Sequence, residues 1–430
     1  MLFTLQCFFR RLGAALLLST FLSSHLAVSA ERTEPPTEPS GALTLATALD
    51  LAMQANPEIA VALREREAMD GVKMQSATRP NPSLSTSMQD TRSESREVYL
   101  QVNQEIELGN KRETRIAAAE ALYKKATAEL NHKKADIHAN VVAAFYEVLA
   151  AQARLTLSQS SLEVAQQALD ASTKRVKAGK SAPVEETKSK IAASSATIET
   201  YQANSLLSSA RKRLAALWGN PAPVFASALG EVHKIPAIPS VETLSATLEN
   251  APAVQLAKAE IDARDGVVNI ERSKTTPNIT ISAGVVNNQE LGRNQALLGL
   301  TVPIPFFDRN QGNIQEAISR QYQAQDALLV LKNQLAANLA TQYARLNAAK
   351  QAAESLQDEI LPHAKSAYEV ANKGFIAGKF SFLDVLDAQR TLFQMQAQYI
   401  QALLDAHQCV AEIERILGDV ITHPAQQSQE

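Results

Sequence analysis

The segment GKFSFLDVLDAQ, residues 378–389, places two aspartates, Asp384 and Asp387, three residues apart just after a glycine turn. If the segment is helical, both carboxylates lie on one face, one turn apart. Paired carboxylates of this kind could serve catalysis, bind a metal ion, begin a helix or form the rim of a pore. The rest of the sequence must decide among these roles.

A helix start explains only one of the two aspartates well. Ser381 followed by Asp384 resembles a capping box, although Glu is the better partner at that place. An acidic side chain in the first turn also suits the helix dipole. Asp387 lies beyond the cap position, so capping explains it less well. From these residues alone, a helix start and a functional acidic pair both stay open.

No other group of residues has the pattern of a catalytic or cofactor site. The sequence contains no nucleophile elbow, phosphate loop or dinucleotide fingerprint. His132 and His138 are six residues apart, which is a poor spacing for sharing one metal ion on a helix. The formal net charge of -3 provides no strong basic field for nucleic acid. The sequence therefore predicts a protein that is not an enzyme, has no cofactor or dedicated metal site, and does not bind nucleic acid.

The N-terminus has the pattern of a secretory signal peptide. Arg10 and Arg11 precede a short apolar run, and small residues up to Ala30 favour cleavage before Glu31. A membrane anchor is the alternative, but the run is short. Cys7 precedes the run and is badly placed for lipid attachment. Cleavage would leave Cys409 as the one cysteine, which excludes a disulfide or a cysteine-based metal centre.

An internal repeat of about 198 residues organises the chain. Five segments recur in the same order, which indicates two pseudo-symmetric halves rather than a solenoid of short units. The matched pairs are QANPEIAVAL (54–63) with ENAPAVQLAK (249–258), RPNPSLS (79–85) with TPNITIS (276–282), EIELGNK (105–111) with PIPFFDR (303–309), VKAGKSAPVEE (176–186) with FIAGKFSFLDV (375–385), and LAALWG (214–219) with IERILG (413–418).

Each half is predicted to contain a helix, a strand pair, a very long helix, an AGK turn and a shorter helix. The predicted helices are 57–77, 110–175, 183–217, 252–274, 310–372 and 382–417. The predicted domains are a signal peptide 1–30, a first repeat 31–219 with strand pair 81–108, a connector 220–250 outside the bundle, a second repeat 251–418 with strand pair 278–306, and a polar tail 419–430. Residues 31–42 are likewise expected to be a flexible polar tail.

The long helices must project from any compact body. Apolar residues make up 45% of the chain and aromatic residues 5%, which favours long packed helices. At 1.5 Å per residue, the segment 110–175 would extend about 100 Å. In the second copy, apolar side chains recur in steps of three and four, the pattern of a coiled-coil seam. The seam residues are Leu328, Leu331, Leu335, Leu339, Tyr343, Leu346, Ala349, Ala353, Leu356 and Ile360.

The strands alternate apolar and polar side chains, as in VYLQVNQEIEL (98–108) and ALLGLTVPI (296–304). This alternation predicts a sheet with one apolar face. Four strands per chain cannot close a barrel, because the smallest useful barrel needs about eight strands. An open sheet edge is not tolerated in lipid. If these strands meet lipid, several chains must share one barrel.

The duplication, the two strand pairs, the two AGK turns and the FLDVLDAQ segment together resemble the TolC family of outer-membrane channels. The segment EIELGNKRETRIAAAEA (105–121) is similar to its heavy-metal branch, typified by cobalt–zinc–cadmium efflux channels. The resemblance implies a mainly α protein with a small β part. It also implies a homotrimer whose chains contribute four strands each to a 12-stranded barrel in the outer membrane, continued by an α-helical periplasmic tunnel.

The resemblance also implies roles for particular residues. The DVLD carboxylates of Asp384 and Asp387 would form rings at the periplasmic mouth, and Phe375 and Phe380 would take the place of the polar lock of drug-exporting relatives. The turns Ala178, Gly179, Lys180 and Ala377, Gly378, Lys379 would meet a periplasmic adaptor protein, which links the channel to an inner-membrane RND transporter.

The sequence therefore predicts a passive outer-membrane exit duct of a tripartite pump, with divalent heavy-metal cations as substrate. One alternative is an exit duct for drugs or a secreted protein. Another is a periplasmic coiled-coil adaptor or scaffold without a pore, which would need no lipid-facing strands. A secreted enzyme lacks any catalytic constellation.

Overall fold

The computed structural model describes residues 38–377 and 379–418. The predicted signal peptide 1–30 with Cys7, the residue Gly378 and the predicted tail 419–430 lie outside these residues. The α-helices are α1 Leu45–Ala55, α2 Pro57–Ser76, α3 Lys111–Lys177, α4 Pro183–Ala216, α5 Val241–Thr247, α6 Pro252–Ser273, α7 Gln311–Ser355, α8 Leu361–Ile376 and α9 Phe382–Leu417.

The sequence signals at the helix ends explain where these elements begin. Helices α2, α4 and α6 each begin with a proline, which fits the first helical position because its missing N–H has no partner there. The longest helix, α3, has 67 residues, so it extends about 100 Å at 1.5 Å per residue. It packs against α1, α2, α4, α6 and α9 and therefore forms the backbone of the fold.

The second long helix is interrupted, which the sequence did not predict. Helix α7 ends at Ser355, a π-helical turn follows at Leu356–Ile360, and α8 then begins just before Pro362. A π turn carries an extra residue and so changes which face later side chains present. Leu339, Leu346 and Ala353 are buried as the seam predicts, whereas Ile360 is exposed. The predicted seam was therefore wrong at its last residue, because the π turn moves the Ile360 side chain off the buried face.

The part of the chain that the structure describes has six strands, which form two sheets. They are β1 Ala42–Thr44, β2 Ser83–Gln89, β3 Glu97–Ile106, β4 Ser227–Leu229, β5 Ile279–Asn288 and β6 Arg293–Thr301. The larger sheet is antiparallel in the order β2-β3-β5-β6, and its outer strands β2 and β6 each have one edge with no partner strand among the described residues. Strands β5 and β6 are joined by a short turn, residues 289–292.

The larger sheet has one apolar and one polar face. In the register, Leu100 lies opposite Val285, and Ala283 lies opposite Leu298, so apolar side chains share a face across three strands. On the other face, the Asn103 side chain donates to Ser85 Oγ at 3.0 Å and accepts from Ser282 Oγ at 2.7 Å. The predicted alternation is thus confirmed.

The smaller sheet corrects the expectation that the segment before α1 is a flexible tail. Strands β1 and β4 pair in parallel, and β4 belongs to the predicted connector 220–250. Glu38 accepts backbone N–H bonds from Val224 and Phe225 at 2.7 and 3.0 Å. Residues 38–42 are therefore an ordered part of the fold and not a flexible tail. The connector packs on the helices, since Phe225 and Leu244 are buried.

The main core lies where α1, α3 and α9 meet this smaller sheet. Phe145 and Tyr146 on α3 are fully buried, and the Tyr146 ring stacks on His407 of α9 at 3.6 Å between centroids. His407 Nε2 lies 2.8 Å from the Val232 carbonyl oxygen. The core thus ties the first repeat, the connector and the second repeat together.

The two copies differ in length where strands lead into the long helices. Asn110 and Asn310 both adopt the left-handed conformation just before α3 and α7, with φ of 57° and 59°. Ser83 and Thr280 are equivalent residues of the two copies, and their partners in the sheet are Asn103 and Thr301. Asn110 comes seven residues after Asn103, whereas Asn310 comes nine residues after Thr301. The match of EIELGNK with PIPFFDR without a gap was therefore wrong. The second junction, residues 302–310, is longer by two residues.

Among residues 38–377 and 379–418, no helix combines the length and the apolar character needed to cross a bilayer.

Candidate functional site

Both AGK turns end a helix with the same backbone hydrogen bond. The Lys180 N–H donates to the Arg175 carbonyl at 2.9 Å, and the Lys379 N–H donates to the Gly374 carbonyl at 2.8 Å. This six-to-one bond is the mark of a Schellman motif, which requires a left-handed residue after the helix. Gly179 supplies it with φ of 67°. The two helices thus end with the same six-to-one hydrogen bond beside their AGK sequences.

The two turns lie at the same end of the helices, because side chains from both copies meet there. The Arg175 guanidinium lies 4.6 Å from the centre of the Phe375 ring, a cation–π contact between α3 and α8. The Phe375 ring in turn lies 5.6 Å from Phe382 at the start of α9. A basic and two aromatic side chains therefore join the two hairpins beside the turns. Neither Arg175 nor Phe382 belongs to a sequence motif that indicated this contact.

Equivalent positions in the two turns use different interactions. In the first copy, Arg175 Nε donates to Ser181 Oγ at 3.2 Å. In the second copy the corresponding residues are Gly374 and Phe380, and the Phe380 ring lies over the glycine. A Cβ atom at Gly374 would come within 2.1 Å of that ring, so the contact needs glycine. Phe380 is half exposed and closes part of the surface beside the turn.

Asp384 caps helix α9. Its Oδ2 accepts from the Ser381 N–H and Oγ–H, each at 2.8 Å, and the Asp384 N–H donates back to Ser381 Oγ at 3.3 Å. The capping box is therefore complete. These hydrogen bonds, from the Ser381 side chain first and its backbone second, lower the pKa of Asp384. Capping explains Asp384, while Asp387 is exposed one turn further along.

An open groove of about 580 Å³ lies beside this capped helix start. One face of α8, the turn that follows it and the first turn of α9 line the groove with His363, Ser366, Ala367, Val370, Ala371, Phe380 and Asp384. Its wall is mostly apolar, with a carboxylate and an imidazole at its margin. Such a groove suits a helix of a partner protein better than a small ligand.

The described part of the chain contains no cluster of three or more His, Cys, Asp or Glu side chains that could hold a metal ion. Cys409 is buried, and burial raises the pKa of its thiol, which keeps it protonated. The arrangement within one chain is thus a surface with exposed carboxylate and aromatic groups at the tip of two helical hairpins.

A family model described as outer membrane efflux protein matches residues 48–220 and 243–419, once for each copy of the repeat. The chain is 41% identical to the cobalt-zinc-cadmium resistance protein CzcC of Cupriavidus metallidurans, over 93% of this chain and 97% of that protein. It is 31% identical to the nickel-cobalt-cadmium resistance protein NccC of Alcaligenes xylosoxydans xylosoxydans, over 53% of this chain and 51% of that protein.

Among solved structures, the outer membrane protein VceC of Vibrio cholerae has the same fold with a TM-score of 0.74. It is 19% identical, and the superposition covers 88% of this chain and 97% of VceC.

Proposed function

Since the chain belongs to the outer membrane efflux protein family, we propose that it is the outer-membrane channel of a tripartite pump that exports divalent heavy-metal cations. The channel role rests on the four-stranded sheet, whose apolar face stays exposed and whose edges stay unpaired in one chain. The metal substrate rests on the 41% identity, over nearly the whole chain, to a cobalt-zinc-cadmium resistance protein.

The internal repeat supports a homotrimer. Within one chain, β3 of the first copy pairs with β5 of the second. In the repeat, β6 of the second copy is equivalent to β3, and β2 of the first copy is equivalent to β5. These two equivalent strands, β6 and β2, are the ones with an open edge. A β6 strand that pairs with β2 of the next chain continues the same sheet, and three chains give 12 strands. Such a barrel leaves no unpaired edge in lipid.

A duplicated glycine supports the same arrangement among the helices. Gly266 on α6 lies so close to α3 that a Cβ atom would be 2.9 Å from Ala118 Cα. Gly71 holds the same place on α2, but no atom of the described residues lies within 4 Å of its Cβ position. We infer that α7 of the neighbouring chain fills this place, as α3 does within the chain. Gly71 would then permit the close approach of a neighbouring helix, as Gly266 does within the chain.

At the mouth, three copies of Asp384 and Asp387 would place six carboxylates around one axis. Converging carboxylates repel one another and favour cations over anions. Asp384 combines this role with capping, whereas Asp387 is free of the cap. Phe375 and Phe380 provide an apolar closure beside them.

The turns are the proposed contact with the adaptor. Ala178, Gly179 and Lys180, with Ala377, Gly378 and Lys379, belong to the tip where Arg175 and Phe375 hold the hairpins together. The groove beside α8 is open, and its wall is apolar enough to receive an adaptor helix. An RND transporter in the inner membrane would complete the pump.

A deletion strain tests the function. We expect loss of resistance to cobalt, zinc and cadmium, restored by the gene on a plasmid, together with a trimer that needs detergent for solubility. Sensitivity to organic toxins alone would indicate a drug exporter. A monomer that is soluble without detergent would contradict the channel and indicate an adaptor or scaffold.

A further inference from the structure

A pocket of about 480 Å³ opens between the start of α3 and the end of α6, where these helices join strands β3 and β5. Glu113 and Thr114 line it on α3. Asn269 and Arg272 line it on α6. Its volume lies within the range of small-molecule sites, about 300–1,000 Å³. A negative group, a positive group and neutral hydrogen-bonding groups thus share one cavity.

The two opposite charges of this pocket are not paired with other side chains. Glu113 and Arg272 are exposed, and neither forms an ion pair with another described residue. Further along the same helix contact the charges do pair, since Lys125 Nζ lies 2.7 Å from Glu260 Oε2. The helix dipoles account for the signs, because an acidic side chain suits the first turn of α3 and a basic one the last turn of α6. They do not account for an open cavity that has both charges in its wall.

The pocket lies on the side of α3 that is turned away from the polar face of the sheet. The Lys111 ammonium on α3 donates to Asn278 Oδ1. The Arg115 guanidinium, one turn later, donates to Glu107 Oε2 at 2.9 Å. By the alternation of the strands, both acceptors extend the polar face. Glu113 is two residues from Lys111 and from Arg115, about 200° around the helix, so it points to the opposite side.

In the proposed trimer this side of the helices lies outside the channel, because the polar face of the sheet lines the lumen. A neighbouring chain would pack its α7 on α2 and would not cover the contact between α3 and α6. Leu108, at the end of the apolar face, is 38% exposed and directly precedes Gly109 in the pocket wall. The pocket is therefore at the depth where lipid headgroups meet the periplasm.

The second copy of the repeat does not carry the same set of side chains. The equivalent place is the proposed contact of α7 with α2 of the next chain. There Asn313 on α7 corresponds to Glu113, and Met74 on α2 corresponds to Asn269. The charged pocket thus belongs to the first junction alone, and the packing of the repeated helices does not require it.

We propose that this pocket binds the headgroup of a zwitterionic phospholipid in the periplasmic leaflet of the outer membrane. Arg272 would bind the phosphate, and Glu113 would accept hydrogen bonds from the primary ammonium group. In a trimer three such lipids would surround the lower end of the barrel. This inference rests on the proposed function, because it requires that the sheet be inserted in lipid.

The pair of charges selects this class of headgroup. A guanidinium binds phosphate through two parallel hydrogen bonds, and a carboxylate forms strong hydrogen bonds with an ammonium group. A headgroup that carries both charges satisfies both side chains. An anionic headgroup without an ammonium satisfies only Arg272 and is repelled by Glu113.

Native mass spectrometry of the detergent-solubilised trimer tests the site. The trimer is titrated with phosphatidylethanolamine or with phosphatidylglycerol, which has the phosphate but no ammonium. Glycerophosphoethanolamine and inorganic phosphate are the soluble probes, because they lack acyl chains. Arg272→Gln and Glu113→Gln are the test variants. Arg92→Gln with Glu94→Gln is the matched control, since it removes the same charges from the exposed loop at the other end of the sheet.

We expect the parent trimer to retain up to three molecules of phosphatidylethanolamine and to bind phosphatidylglycerol more weakly. Arg272→Gln should weaken the binding of both lipids about tenfold or more, the factor for losing one charge-assisted hydrogen bond. Glu113→Gln should abolish the preference for phosphatidylethanolamine and bind phosphatidylglycerol at least as well as the parent does. The control variant should bind both lipids like the parent.

Equal binding of phosphatidylethanolamine by the parent and both test variants would overturn the site and leave the channel intact. Equal affinity for the soluble probes and the lipid would overturn a lipid ligand and assign the pocket to a soluble phosphate compound. If Arg272→Gln gives no trimer, Glu113→Gln decides, because an unchanged headgroup preference in that variant overturns the proposal. A parent protein that forms no detergent-dependent trimer would instead contradict the proposed function.

Discussion

At the scale of single residues, the two aspartates of the opening segment have different surroundings. Asp384 is engaged in a complete capping box, whereas Asp387 is exposed beyond it. The sequence allowed both interpretations, and the structure assigns capping to Asp384 without testing the acidic ring. The two roles can therefore be separated by changing one residue at a time.

We expect Asp387→Asn to weaken block of the channel by divalent cations in planar bilayers, because it would remove three carboxylates from the proposed ring without disturbing the cap. Conductance recorded with and without zinc measures the effect. Glu185→Gln is the matched control, since Glu185 holds in the first copy the place of Asp384. Equal effects of the two substitutions would contradict a specific role for the second hairpin.

The cap of α9 should depend on pH. Hydrogen bonds lower the pKa of Asp384 in the folded protein, so the carboxylate stabilises the helix start at neutral pH. This contribution is lost as the pH falls through the lowered pKa, below the usual value of about 4 for aspartate. Hydrogen exchange of the first turn of α9 should accelerate there in the native protein. In Asp384→Asn the acceleration should be absent, and its persistence would count against the cap.

At the scale of elements, the periodic segments were the predictable part. The long helices and the alternating strands have strong patterns, and they form close to where those patterns begin and end. The sequence did not indicate helix α1. The pairing of β1 with β4 was also missed, because Ala42–Thr44 and Ser227–Leu229 are too short to show alternation. The π turn was missed because apolar residues continue in steps of three and four through it. The contact of Arg175 with Phe375 joins distant segments, which a single sequence does not reveal.

A glycine in β5, Gly284, permits a close approach between β5 and β3. A Cβ atom at Gly284 would lie 2.3 Å from the Leu100 carbonyl oxygen, so a side chain there collides with the neighbouring backbone. We expect Gly284→Val to abolish the detergent-resistant trimer on gels. Gly299→Ala on β6 is the control, since its Cβ would be 3.5 Å from Ser282, an ordinary contact. A trimer of normal stability in Gly284→Val would show that the sheet can adjust.

The first AGK turn allows the effect of backbone conformation to be tested separately from steric clashes. In the described part of the chain no atom lies within 4 Å of a Cβ atom at Gly179, but its φ of 67° disfavours most side chains. Valine there should cost at least about 1–2 kcal/mol and distort the turn, whereas asparagine tolerates this conformation. We expect Gly179→Val to lower cobalt, zinc and cadmium resistance while the amount of trimer is unchanged. Gly179→Asn should keep resistance, and full resistance in both variants would refute the proposed adaptor contact.

At the scale of the whole molecule, the repeat predicts the register between chains. Leu100 pairs with Val285 within a chain. The corresponding residues of the open strands are Leu298 on β6 and Met88 on β2, so these should lie opposite each other in neighbouring chains. Paired residues in antiparallel strands are about 4.5–5.5 Å apart, within reach of a disulfide.

Cysteines at positions 298 and 88 should therefore give a covalent trimer after oxidation, read as a ladder on a non-reducing gel. Within one chain β3 and β5 separate these strands, so cross-links must join different chains. The pair Leu298→Cys with Thr86→Cys, which is two residues out of register, is the control and should react far less. A preference for the control pair would mean that the repeat does not govern the contact between chains.

The open edges of β2 and β6 also bear on how the protein is made. Before its partners arrive, each newly exported chain presents two rows of unsatisfied backbone groups beside a water-repelling face. Such a chain is prone to aggregate with other proteins. In the proposed trimer, pairing with two further copies of the chain removes these open edges. Assembly of the trimer and completion of folding would then be coupled, and their rate would rise with the concentration of the chain. Low expression should therefore reduce the yield of trimer more than proportionally, because unassembled chains are lost to aggregation and proteolysis.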